Sequence, residues 1–145
     1  MFSKKNAQIF FFGGTFLSFA VFIGLSWHSI AYEIPKQTNS AAITEDVVRG
    51  KRIWEKNNCM GCHTLLGEGA YYAPELTKVI ERRGPEMIKS ILKSPTPWGP
   101  RGRLMVAYNM SEQDANDVIA FLTWCGNIDL NGFPPKPVLS QPTKN

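Results

Sequence analysis

Two cysteines three positions apart, followed at once by a histidine, form the most reactive constellation in this 145-residue chain: Cys59-Met60-Gly61-Cys62-His63. Two thiols on one helical turn can reach both vinyl groups of a porphyrin, and the next residue then brings an imidazole nitrogen to the iron. C-x-x-C-H is therefore the pattern of covalent haem c attachment, here with Cys59 and Cys62 as attachment points and His63 as an axial ligand. Two other chemistries use C-x-x-C pairs. A closed zinc site needs four ligands, and after the apolar N-terminus only Cys125 remains as a further soft ligand. A thioredoxin-like pair needs a preceding strand and a βαβ setting, which the flanking residues do not provide.

A haem iron also takes a second axial ligand. The other histidine, His28, lies in an apolar stretch, so bis-histidine ligation is not expected and the methionines remain. Met60 sits inside the attachment loop and cannot wrap to the opposite face. Met87 falls in a periodic apolar helix, where Met usually fills core space. Met105 follows the turn-rich run Pro95-Thr96-Pro97-Trp98-Gly99-Pro100-Arg101-Gly102-Arg103, a loop stiff enough to hold a thioether in place. Met110 precedes Ser111, an expected N-cap, and sits where a hydrophobic staple residue belongs. Met105 is the expected ligand and Met110 the reserve. His/Met ligation raises the reduction potential and leaves no open coordination position, which points to electron transfer. Arg101 and Arg103 are candidates to neutralise the haem propionates.

Helices must position these groups. Thr44 can cap a helix running to about Asn57, with Glu45 and Asp46 in its first turn, where negative charge is favoured. Gly50 on that helix permits close crossing by a partner, with Trp54 one turn away supplying apolar area. The natural partner is a final helix from Glu112 to about Trp124, whose Ala115, Val118, Ile119 and Leu122 follow helical periodicity. Residues 74–83 and 85–93 read as two shorter helices broken at Gly84, the second with Pro85 at its first position. No segment reads as a convincing strand. The expected fold class is all-α, a class I cytochrome c-like domain with one N-terminal transmembrane helix. Cys125 reads as a small hydrophobe without a pairing partner. Residues 127–145 contain four Pro and no periodic pattern, and are expected as a tail, extended over a surface or disordered.

The N-terminus has a different composition. No Asp, Glu, Lys or Arg occurs between Asn6 and Tyr32, and the first 32 residues hold seven of the nine Phe. Ile9 to Ile30 as a helix spans about 33 Å, enough for a hydrocarbon core of about 30 Å. Lys4 and Lys5 precede it and Glu33 follows, so the positive-inside rule puts the N-terminus in the cytoplasm and the rest outside. A cleaved signal peptide is the rival, given Ser29-Ile30-Ala31, but signal cores run only about 7–15 residues. Gly13, Ala20 and Gly24 lie on one stripe and would let another membrane helix approach. The expected layout is a cytoplasmic N-terminus at 1–8, a transmembrane helix at 9–31, a linker at 32–43, a haem domain at 44–126 and a tail at 127–145. Of the formal charge of +4, two units are Lys4 and Lys5. The remainder is close to neutral and carries no basic stripe, which argues against nucleic acid as a partner.

Together these residues resemble the cytochrome c subunit of bacterial nitric oxide reductase, over nearly the whole chain. The most particular stretches are Val48-Arg49-Gly50-Lys51, Trp54 to Cys59, and Gly61-Cys62-His63-Thr64-Leu65-Leu66-Gly67-Glu68-Gly69-Ala70-Tyr71-Tyr72-Ala73-Pro74-Glu75-Leu76, with Gly102 to Met105 and Asn109 to Gln113 near the C-terminus. The resemblance implies a periplasmic haem domain on a single-pass inner-membrane anchor. Electrons would arrive singly from a soluble periplasmic donor, a small cytochrome c or a cupredoxin. They would pass to haem b in a large multi-helix catalytic partner, whose haem and non-haem iron reduce two NO to N2O and water. It implies Met105 as the axial methionine, with Met110 on a position usually held by Leu. It also implies an interface calcium contacted by backbone oxygens at Gly69 and Tyr71. One departure is visible: the family commonly has Met-Pro at the ligand, and here Val106 follows Met105, which would leave the loop less rigid. The alternative function is an anchored cytochrome c that serves another haem-copper oxidase or acts as a free electron shuttle.

Overall fold

The computed structural model describes residues 3–100 and 102–133, and falls into two compact units that divide between Gln37 and Thr38. Arg101 and the Pro-rich part of the tail, 134–145, lie outside the described residues.

The first unit is a helix. Helix α1 spans Lys4–His28 and is capped by Ser3, whose hydroxyl accepts from the Asn6 amide. None of its residues is buried, and its Phe, Leu, Ile and Val side chains stand about half exposed or more. The helical path does not stop at Tyr32, as the expected linker at 32–43 would have it. It widens into a π turn at Ser29–Glu33 and continues as α2, Ile34–Thr38. Pro35 explains the widening, because it has no N–H to give to a normal helical turn. The last amide before it, on Ile34, reaches back five residues to Ser29 O. Lys4–Thr38 is thus one continuous 35-residue helix, long and apolar enough to cross a membrane.

The second unit is built on two crossing helices, α3 (Glu45–Lys56) and α6 (Glu112–Gly126). Thr44 and Ser111 cap them through bonds from the Val47 and Asp114 amides, at 3.5 and 3.1 Å. Two short helices, α4 (Val79–Arg83) and α5 (Pro85–Lys93), pack on α6 and are separated by Gly84 at φ +77°. The core joins Val47 and Trp54 of α3 to Ala115, Val118, Phe121, Leu122 and Cys125 of α6, with Leu65, Val79 and Leu92 around them. The Trp54 and Phe121 rings lie 6.0 Å apart. Close crossing at Gly50 is as expected: a Cβ there would meet Asp117 O at 1.9 Å.

Three local expectations change, and Asp117 adds a feature that the sequence reading did not contain. Phe121, outside the expected set of Ala115, Val118, Ile119 and Leu122, is buried in the core, while Ile119 is only half buried. Asp117, a carboxylate, takes a buried position on α6 because Arg49 reaches it across the crossing, Nε to Oδ2 at 2.8 Å. Residues 74–78 are not helical; their backbone is engaged elsewhere. Finally, a minimal antiparallel ladder joins β1 (Thr64–Leu65) to β2 (Glu68–Gly69). Its two-residue turn, Leu66 and Gly67, has φ +55° and +86°, the double positive φ of a tight hairpin. Leucine seldom takes that conformation, so its identity carries no turn signal. The fold remains a mostly helical one.

Candidate functional site

The attachment loop begins where α3 ends. Asn58 turns left-handed at φ +49° and starts a 3-10 turn over Cys59–Gly61. The amides of Cys62 and His63 then both bond back to Cys59 O, at 3.2 and 2.9 Å. The chain is wrapped around Cys59, which packs on the core, while Cys62 is exposed. Burial pushes the Cys59 thiol up to about 11, so it is protonated at neutral pH. The Tyr108 hydroxyl donates to Asn57 O at 3.5 Å. Burial, and next to it the charge a Cys59 thiolate would carry, raise the Tyr108 pKa.

His63 is oriented by the main chain. Its Nδ1 lies 2.8 Å from Pro74 O. A carbonyl only accepts, so Nδ1 carries the proton and Nε2 presents its lone pair. Pro74 is held in turn by bonds on either side: Ala73 N donates to Cys62 O at 2.8 Å and Leu76 N to Thr64 O at 2.9 Å. One step further, Leu66 N donates to Thr77 Oγ1 at 2.7 Å. Residues 73–77 therefore form an extended strap laced to 62–66, which is why no helix forms there. Gly69 packs under the same loop at φ +116°; a Cβ would meet His63 O at 2.3 Å.

Met105 lies at the closing rung of the Pro- and Gly-rich loop. Its amide donates to Trp98 O at 2.7 Å and its carbonyl accepts from Trp98 N at 3.1 Å. Met110 is tied differently, through its amide to Leu92 O at 3.1 Å at the end of α5. Both side chains are half buried against the core. Arg103 reaches back to the strap: Nη1 donates to Tyr72 O at 3.2 Å, and its guanidinium carbon lies 5.6 Å from the centre of the Tyr72 ring. Tyr71 is 83 % exposed. No cluster of three or more His, Cys, Asp or Glu suited to a metal occurs among the described residues.

These residues fit a covalent haem. Two thiols share a turn, an imidazole is turned with Nε2 free, and the flanking loops expose Leu66, Tyr72, Trp98, Leu104 and Val106, the kind of surface a porphyrin covers.

Comparison with known proteins agrees. The cytochrome c family model matches residues 47–125. The C subunit of nitric oxide reductase from Stutzerimonas stutzeri is 45% identical over 139 residues, 92% of this chain and 94% of that one. The chain belongs to the family of nitric oxide reductase C subunits. The family member from Halomonas halodenitrificans is 41% identical over 143 residues, 93% of this chain and 95% of its own. A cytochrome c oxidase subunit 2, from Alkalihalophilus pseudofirmus, is 31% identical over 83 residues, but these cover 51% of this chain and 24% of that one. As a member of this family, the chain has a cytochrome c domain, whose prosthetic group is haem c held covalently. Sequence reasoning missed Tyr108, Thr77 and the Pro74 carbonyl. None of the three carried a local signal.

Proposed function

We propose that this chain is the electron-transfer subunit of a respiratory nitric oxide reductase. Lys4–Thr38 anchors it in the inner membrane with its N-terminus in the cytoplasm and the haem domain in the periplasm. Cys59 and Cys62 would form the thioether links, and His63 Nε2 and Met105, in preference to Met110, would be the residues that bind the iron. Haem c supplies an iron couple that accepts and releases one electron at a time. The observation that carries this reading is the 2.8 Å bond from His63 Nδ1 to Pro74 O, because it leaves the lone pair of the other ring nitrogen available to a metal.

The donor is a small soluble cytochrome c or a cupredoxin. The acceptor is haem b in a multi-helix catalytic partner, where NO is reduced to N2O beside a non-haem iron. This chain's own residues bind and orient the haem; the reaction on NO belongs to the partner. Arg103, held on Tyr72, keeps further N–H donors for a propionate; Arg101 is proposed for the same role. Backbone oxygens at Gly69 and Tyr71 contribute to a calcium at the junction between the two proteins. An anchored cytochrome serving a haem-copper oxidase, or a free shuttle, would share the haem domain alone. A likeness that extends through the N-terminal helix favours the reductase.

The test is purification of the native complex in mild detergent with haem and metal analysis. Expected is co-elution with a polytopic protein that holds b-type haem and non-haem iron. A mature chain with the mass of the bare polypeptide, keeping no tetrapyrrole after acid-acetone treatment, would end the reading.

A further inference from the structure

The strap that fixes His63 has a lock of its own, on α4. Arg82, on α4, donates through Nη2 to the main-chain carbonyl of Glu75 and through Nη1 to its Oε2, the latter at 3.5 Å. The other carboxylate oxygen, Oε1, accepts from Thr77 N at 2.6 Å. Glu75 is thus gripped at its backbone and both side-chain oxygens. It sits between Pro74, whose carbonyl accepts the His63 proton, and the Leu76–Thr64 bond. The Glu75 side chain is 24% exposed and that of Arg82 42%. An ion pair so placed adds little to stability. Its geometric effect is larger, because it fixes the peptide next to the Pro74 oxygen.

We propose that Glu75 and Arg82 are a positioning pair that sets the strength of the His63 Nδ1–Pro74 O hydrogen bond, and through it the reduction potential at this site. The inference rests on the haem assignment proposed for Cys59, Cys62 and His63. A proton held firmly by a carbonyl makes the imidazole a more basic ligand, and a more basic ligand favours the ferric state. Releasing Glu75 lets the strap relax away from the loop, weakens that bond and favours the ferrous state. The potential should rise.

The experiment is redox titration of haem c in the full-length protein within its membrane complex, comparing Arg82→Ala, Glu75→Gln, the double variant and Lys51→Ala. The last removes a more exposed ion pair on α3, Lys51 to Glu55. Arg82→Ala and Glu75→Gln should each raise the ferrous-to-ferric ratio at fixed potential by about threefold to tenfold, or about 28 to 59 mV for one electron. The double variant should exceed the larger single change by little, since the two side chains act as one unit. Arg82→Lys should restore part of the shift. If Arg82→Ala incorporates no haem, Glu75→Gln and Arg82→Lys decide. An unchanged potential in the haem-loaded variants, or an equal shift in Lys51→Ala, overturns the inference while leaving the haem assignment intact. Wild-type protein without covalent haem removes the assignment instead.

Discussion

Gly50 of α3 lies directly against the backbone of Asp117 in α6, so close that a methyl group on Gly50 would meet the Asp117 carbonyl oxygen at 1.9 Å and its carbon at 2.5 Å. The atoms in the way are main chain, so no side-chain rotation relieves the clash. Alanine normally gains about 1 kcal/mol over glycine inside a helix. Here Gly50→Ala should instead destabilise the domain by about 2–3 kcal/mol as the helices are forced apart. Thermal unfolding followed at the haem band reads the sign directly. A stabilised variant would contradict the close crossing.

The same crossing carries a buried carboxylate. Hydrogen bonds from Arg49, and after it Gln113, hold Asp117 below its ordinary value of 3.8. A lowered carboxylate pKa contributes stability that is complete above the ordinary value and is lost as pH falls through the folded one. The wild type should therefore lose stability below about pH 4 by this route. Asp117→Asn should lose about 1–3 kcal/mol at neutral pH, where the pairing is intact. Its denaturant midpoint should also fall less steeply in acid. Equal acid slopes in the two proteins would show that the carboxylate titrates normally.

The two methionines separate by spectroscopy. Met105→Ala should open the iron, so that the reduced protein binds CO readily and its potential falls. Met110→Ala should leave the spectrum unchanged and cost about 1–2 kcal/mol, the lower range for a half-buried side chain packed on the core. CO binding by the Met110 variant alone would reverse the assignment.

Gly99 closes the loop that holds Met105. At φ +151°, a Cβ there would meet Arg103 O at 2.3 Å. Gly99→Ala should break the Trp98–Met105 rung and speed CO binding to the reduced haem, with little loss of helical content by circular dichroism. A CO rate equal to the wild type's would show that the loop does not restrain the ligand.

The scaffold was legible where one residue decides one thing. Thr44 and Ser111 mark helix starts through their hydroxyls, and Gly50 marks a crossing because any other side chain is excluded. The strap was not legible. Pro74 opens what looks like a helix, yet the backbone of 73–76 gains more by bonding to Cys62, His63 and Thr64, and composition does not encode such long-range pairing. Leu66 hides its turn because leucine is a poor residue at positive φ. Tyr108 gives no local sign of meeting Cys59, 49 positions earlier in the sequence. The C-x-x-C-H spacing needed no tertiary knowledge.

Cys125 carries a consequence of its own. It is 1% exposed, and burial pushes its thiol up to about 12, so in the folded domain it is neither reachable nor ionised. Thiolates are the form that nitrosates, oxidises and exchanges. With the sulfurs of Cys59 and Cys62 in the thioethers proposed above, none of the three cysteines would be left as a reactive thiolate.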